Sequence, residues 1–365
     1  MSGQSHRGRD YKTGEPIEVK VVDGVVVGIE ACPDCPGDRW LAPGLVDVQV
    51  NGYHGVDFQC DGLDENDLLR AMAGLARDGC HRWMLTLISA EWPVLLDRLS
   101  CLRKLRESSP ELQRAIVGWH VEGPFLSDQP GYRGAHDPRV MSDPDPAAVD
   151  ALRAVTGSDR VMLTLAPERS GSDAVIRRAV ELGMTVSLGH TNASAGYLHM
   201  AEEAGASGFT HLGNGMPQAM DRHDNIVCRV LDTDCLTVGL IPDGIHVSPQ
   251  LFRLIHRALP AGRIYYTSDA MAAGGAPPGR YTIGKIEVEV GADEVVRMPG
   301  ATNFAGSALR PIEGVRRAAR MLGVSWREVW DAFSVRPAAL VALASGLEVG
   351  APGDVVSVSD ECVLL

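Results

Sequence analysis

Ala115-Ile116-Val117-Gly118-Trp119-His120-Val121 is a short, largely apolar run, and Glu122-Gly123-Pro124 follow it directly. Its brevity and the turn residues that bound it point to a strand buried on both faces. Runs of the same kind lie at Leu45–Val50, Trp83–Ile88, Val161–Leu165, Met184–Leu188, Gly208–Thr210, Leu236–Ile241 and Ile264–Thr267. Stretches of helical period separate most of them: Glu65–Asp78, Pro93–Arg106, Ala147–Val155, Asp173–Leu182, Ala195–Ala204 and Pro249–Ala258. Strands alternating with helices predict an α/β protein with a closed (β/α)8 TIM barrel. A doubly wound open sheet has the same local rhythm and is the alternative.

The two ends of the chain differ from this middle. Pro16–Ile29 alternates, is rich in Val and carries a turn signal at Asp23-Gly24, and Gly353–Leu365 has the same character. The ends are therefore expected to meet as one small β-domain. Tyr281–Arg297 also alternates, which predicts a hairpin inserted after the last barrel strand. Ile312–Leu322 and Trp326–Ala344 have helical period, and residues 1–15 suggest no role.

Composition narrows the chemistry. Of 365 residues, 45% are hydrophobic and 22% charged, which argues against whole-chain disorder. A formal charge of -13 makes nucleic acid a poor partner and requires a local basic pocket for any anionic substrate. No run of about 18 apolar residues reads as a membrane span. The polar first 14 residues lack a secretory pattern, so the expected compartment is the cytoplasm. The eight cysteines are then expected to be reduced, including the C-x-x-C pair Cys32 and Cys35 in a Pro-rich turn.

A barrel carries its active site where strands end and loops begin. At those points stand Gln49-Val50-Asn51, Glu122-Gly123-Pro124, Gly189-His190-Thr191-Asn192, His211-Leu212-Gly213-Asn214, Asp243-Gly244-Ile245-His246 and Ser268-Asp269-Ala270. Closing the barrel brings them into one ring. One Glu and two His there match a catalytic zinc site with an open position for water. An Asp at the end of the eighth strand could take the water's proton and pass it to a leaving group. Singly, each residue also has an ordinary use: a satisfied loop histidine, a turn-capping Glu, a helix-capping Asp at 269. The set at strand ends favours the metal site. His120 shares a strand face with Glu122, where it could support the site or simply pack.

These motifs resemble a known family. His-Val-Glu-Gly-Pro-Phe at 120–125, Gly-His-Thr-Asn-Ala at 189–193, Thr-His-Leu-x-Asn at 210–214, Asp-Gly-Ile-His-Val at 243–247 and Ser-Asp-Ala-Met at 268–271 resemble the N-acetylglucosamine-6-phosphate deacetylases of the amidohydrolase superfamily. Pro-Gly-Leu-Val-Asp at 43–47 and Phe-Ala-Gly-Ser-Ala-Leu at 304–309 fit as well. The resemblance implies a barrel over residues 47–345 and a small β-sandwich domain from residues 1–46 and 346–365. It implies metal-dependent hydrolysis of the N-acetyl group of an amino-sugar 6-phosphate, with acetate as product. Glu122, His190 and His211 would hold the metal, and Asp269 would be general base and acid. His136 would contact the acetamide and polarise its carbonyl. His246, Asn214 and Gly215 match substrate-binding positions, and Arg222 matches a phosphate-binding arginine. A homodimer is implied, in which a neighbour contributes to the phosphate pocket.

Two features depart from common patterns. Where many amidohydrolases carry His-x-His and bind two metals, this chain has Gln49-Val50-Asn51, so one metal is expected. Zinc suits one Glu and two His; iron, manganese or cobalt fit the same ligands. In the loop after His211, Gly213 and Gly215 replace bulkier residues, which is expected to widen the pocket or loosen its backbone. The rival readings are hydrolysis of another N-acyl or cyclic amide and a catalytically silent, sugar-binding barrel.

Overall fold

Each apolar run named above forms a strand in a computed structural model of the chain, which describes residues 3–299 and 304–365. The strands are Leu45–Val50, Cys80–Ile88, Ile116–Glu122, Arg160–Leu165, Thr185–Leu188, Gly208–Phe209, Thr237–Leu240 and Ile264–Tyr266. They lie side by side in chain order, and every neighbouring pair is parallel. An open sheet would leave the first and last strands as edges. Here they are joined: Val50 bridges Ala270, and Asn51 N donates to Ala270 O at 2.7 Å. Buried Asp47 in the first strand accepts hydrogen bonds from Thr267 Oγ1 and, at 2.9 Å, from Ser268 N. The barrel is therefore closed, and the doubly wound alternative is excluded.

The barrel interior is packed on the side away from the strand ends. Val48, Met84, Val117, Met162 and Tyr265 come from five strands and form one buried cluster with Val341. Sequence-local signals fix the helix limits around it. Asp64 and Asp67 form a capping box before Glu65–Arg77. Ser248 caps Pro249–Ala258, and Gly205 in the left-handed region ends Ala195–Ala204. The stretch expected as one helix over Trp326–Ala344 is broken into Trp326–Trp330, a 3-10 turn at Asp331–Phe333, and Val335–Leu340. Pro337 has no N–H to offer the carbonyl four residues earlier, and Ser334 leaves helical geometry.

The chain ends meet in one five-stranded sheet, ordered Val355–Val358, Trp40–Pro43, Gly3–Asp10, Pro16–Val22 and Val25–Ala31. Gly3–Asp10 lies within residues 1–15, to which the sequence assigned no role and no strand of its own. Its side chains are mostly exposed and polar, so it has no apolar alternation, yet it pairs on both sides. The hairpin expected at Tyr281–Arg297 is larger than foreseen. Gly279–Ile283, Ile286–Val290, Val295–Arg297 and Phe304–Ser307 form a four-stranded antiparallel sheet. Residues 1–2 and 300–303, which fall within the expected domain limits, lie outside the described residues. The cysteines also differ from expectation: Cys32 and Cys35 are joined as a disulfide, their Cα atoms 5.5 Å apart across the turn. The other six thiols are free.

Candidate active site

Glu122 is the last residue of the third barrel strand, and His190, His211 and Asp269 follow the fifth, sixth and eighth strands within a few residues. His190, His211 and Asp269 have φ of 49°, 31° and 50°, a region that side-chain-bearing residues rarely adopt. Each such residue costs roughly 1–3 kcal/mol and persists where its surroundings hold it, as functional sites do. All four are buried.

The side chains converge on one carboxylate. His211 Nε2 lies 2.8 Å and His190 Nε2 3.3 Å from Glu122 Oε1, while His136 Nε2 lies 3.8 Å from Glu122 Oε2. His190 Nδ1 donates to the carbonyl of Tyr132 at 2.8 Å. A neutral His190 must therefore present the lone pair of Nε2 to an anionic oxygen, an arrangement that a shared cation would relieve. The imidazole and carboxylate donors fit a divalent metal such as zinc. Glu122, His136 and His190 have ligand atoms all within 4.8 Å of one another, and His211 joins the cluster through Glu122 Oε1.

The amides that replace His-x-His each hold a carboxylate. Gln49 Nε2 donates to Glu122 Oε1 at 3.0 Å, and Asn51 Nδ2 donates to Asp269 Oδ1 at 2.7 Å. Both side chains are buried. His120 sits beneath the site, in a buried relay: it bonds Thr164 at 2.8 Å, Thr164 bonds Thr210 at 2.8 Å, and Thr210 bonds Ser187 at 2.7 Å.

Charge states follow from burial. Desolvation pushes the Asp269 carboxyl up to about 7, aided by the negative charge of Glu122 and opposed by His211, His246 and the Asn51 hydrogen bond. Burial would also raise Glu122, but a hydrogen bond from His211 and the adjoining His190 hold it well below the usual carboxylate range. Burial, then the proximity of His190, pulls His136 down to about 3. It is neutral at physiological pH.

A cavity of about 1840 Å³ opens above the cluster, lined among others by Ser89, His136, Asn214, Gly215, His246 and Lys285. His246 Nδ1 is held by Asp243 at 2.6 Å. The structure thus brings Glu122, His136, His190, His211 and Asp269 together and places Asn214, Gly215 and His246 at the cavity wall. Arg222 is exposed and is not among the residues lining the cavity.

The loop glycines act differently from expectation. A Cβ at Gly215 would lie 2.5 Å from His190 Nδ1, and one at Gly213 would lie 2.7 Å from Val247 Cγ2. They let the loop close onto its neighbours; they do not hold space open. Two supporting residues escaped the sequence reading. Ser89, at the exit of the second strand, bonds His136 Nδ1 at 2.8 Å. Glu168, beyond the fourth strand, accepts from Asn192 N at 3.0 Å and from Thr191 Oγ1, which anchors the loop behind His190. Both stand at strand exits, where the other site residues were sought.

No family model matches the chain. It is 35% identical over 340 residues to the N-acetylglucosamine-6-phosphate deacetylase of Bos taurus, covering 90% of this chain and 81% of that one. It is 31% identical over 345 residues to the N-acetylgalactosamine-6-phosphate deacetylase of Escherichia coli O157:H7, covering 93% and 89%. The crystal structure of N-acetyl-D-glucosamine-6-phosphate deacetylase from Mycobacterium smegmatis superposes with a TM-score of 0.87 at 29% identity, covering 100% of this chain and 97% of that one. Similarity of this depth along nine-tenths of the chain, on a shared barrel, makes this protein a member of the N-acetylglucosamine-6-phosphate deacetylase family.

Proposed function

We propose that the protein hydrolyses the acetamide of an N-acetylated amino-sugar 6-phosphate, N-acetylglucosamine-6-phosphate or its galactosamine epimer, to acetate and the free amino-sugar phosphate. The observation that carries this is the convergence of Glu122, His190 and His211 beneath an open cavity, with a buried Asp269 on the same ring, in a chain of this family.

In this reading Glu122, His190 and His211 hold one divalent ion, zinc by their donor chemistry. When bound, that ion supplies Lewis acidity, which acidifies water and polarises a carbonyl. Asp269, oriented by Asn51, takes a proton from the attacking water. A carboxyl pushed up to about 7 keeps that proton long enough to deliver it to the amine nitrogen as the C–N bond breaks. His136 is neutral and lies between the carboxylate cluster and the cavity, so it donates to the acetamide oxygen and stabilises the oxyanion. Asn214, Gly215 and His246 bind the sugar.

Arg222 serves the phosphate of a neighbouring subunit. Arg222 is exposed and does not line its own cavity, so in this reading it reaches a phosphate across a homodimer contact. The expected compartment remains the cytoplasm; among the described residues no helix is long and apolar enough to cross a membrane.

The test is acetate release from zinc-loaded protein given N-acetylglucosamine-6-phosphate, N-acetylgalactosamine-6-phosphate and both unphosphorylated sugars. Preference for a phosphate ester supports the reading, and loss of that preference in Arg222→Ala assigns the arginine. Activity on none of the four would move the chain to another amide substrate.

A further inference from the structure

We infer that Ser89 is a positioning residue that holds His136 in the tautomer with its hydrogen on Nε2, making His136 a donor to the substrate carbonyl and not a third metal ligand. The inference rests on the role proposed above for His136.

Ser89 Oγ carries one proton and has two acceptors within reach. His136 Nδ1 is 2.8 Å away, in the middle of the hydrogen-bonding range, and the carbonyl of Glu122 is 3.4 Å away, at its edge. A proton given to Nδ1 makes the shorter of the two hydrogen bonds; the reverse order, Nδ1–H to Oγ and Oγ to the carbonyl, would turn the Nε2 lone pair toward the Glu122 carboxylate. In the first order Nδ1 accepts, and the hydrogen of the neutral ring must sit on Nε2.

The other end of the ring agrees. Nε2 lies 3.8 Å from Glu122 Oε2. An N–H turned toward that carboxylate is attracted to it, whereas a lone pair would be repelled. The opposite tautomer would set that lone pair against the anion.

The backbone makes room for this pairing. Gly123 has φ of 87°, and a Cβ there would lie 2.2 Å from Ser89 Oγ. Only glycine lets the serine stand where it reaches His136. Ser89 also lines the cavity beside His136, so the hydroxyl and the ring form one wall of the substrate space. The triad of Glu122, His136 and His190, although compact, is then not the metal set, because its His136 nitrogen carries hydrogen.

The experiment uses the full-length, zinc-loaded protein labelled with 15N-histidine. His136 is assigned by the signals lost in His136→Gln. Wild type should show Nδ1 unprotonated and hydrogen on Nε2; hydrogen on Nδ1 would overturn the inference whatever the enzyme's activity. Ser89→Ala should lose the single tautomer. Its kcat should fall about 10- to 100-fold, the range for losing a group that orients a site histidine, with KM and bound zinc nearly unchanged. Ser89→Thr keeps a hydroxyl and should recover most of that loss. Wild-type kcat in Ser89→Ala, or loss of zinc in parallel with activity, would also overturn it. If wild type released no acetate from any sugar phosphate, the proposed activity would fail, while the spectrum would still report the tautomer.

Discussion

Asp269 has one oxygen tied to the Asn51 amide at 2.7 Å and a backbone in the left-handed region, so its carboxyl is aimed by neighbours on the first strand. Asp269→Asn keeps the shape and removes the proton acceptor. It should cut kcat by about 10²- to 10⁴-fold, the usual contribution of a general base, while bound zinc stays near one per chain. Steady-state kinetics with metal analysis check this, and near-normal turnover would remove Asp269 from the mechanism. Gly215 is constrained in another way. Gly215→Ala would set a methyl 2.5 Å from His190 Nδ1 at a φ of 58°. Either the loop or the histidine must yield, so zinc affinity should weaken and KM should rise. A substitution as small as Ala leaving both unchanged would mean that the loop has slack in solution.

The strands carry a different kind of information. Each barrel strand was legible because parallel strands are covered on both faces and so read as continuous apolar runs. Gly3–Asp10 was not, because its exposed polar side chains say nothing and its pairing comes entirely from the backbone. Glu122, His190 and His211 were visible as ligand-type residues at strand exits. The Tyr132 carbonyl that orients His190 was invisible, since a main-chain oxygen has no signature in sequence. Ser89 stood at an exit too, but serine is too common in turns to draw notice. The break at Ser334 inside a helical pattern reflects competition between period and local geometry, which Pro337 decides. Packing at this level is testable. Met162 is fully buried in the cluster that fills the barrel interior, so Met162→Ala should lower stability by about 2–5 kcal/mol, measured by denaturant unfolding. A loss below about 1 kcal/mol would show that the barrel interior collapses around the gap.

Across the whole molecule, the site draws on residues from Gln49 to Asp269, so the metal would tie distant strands together. Stripping it with a chelator should lower the melting temperature. At free zinc one-hundredfold above Kd the stabilisation is about 2.7 kcal/mol, which corresponds to roughly 3–4 °C for a chain of this size. Calorimetry with and without added zinc measures this, and an unchanged transition would argue against a site formed only in the folded state. The charge pattern also works at this scale. The chain is acidic at -13 and the cavity lining is mixed in sign: Arg98 and Arg139 pair with Asp61 and Asp137, while Arg133 and Lys285 also line the cavity and suit an anionic sugar phosphate.

The sheet shared by the two ends sets a schedule for the ribosome. Trp40–Pro43 pairs with Val355–Val358, and these segments are made far apart in time. At synthesis rates of roughly 5–20 residues per second, the earlier strand waits roughly 15–60 s for its partner. Throughout that interval it is an open edge at which a nascent chain can mispair or meet a chaperone. Val355–Val358 therefore acts as a latch, closing the shared sheet on a strand made long before it.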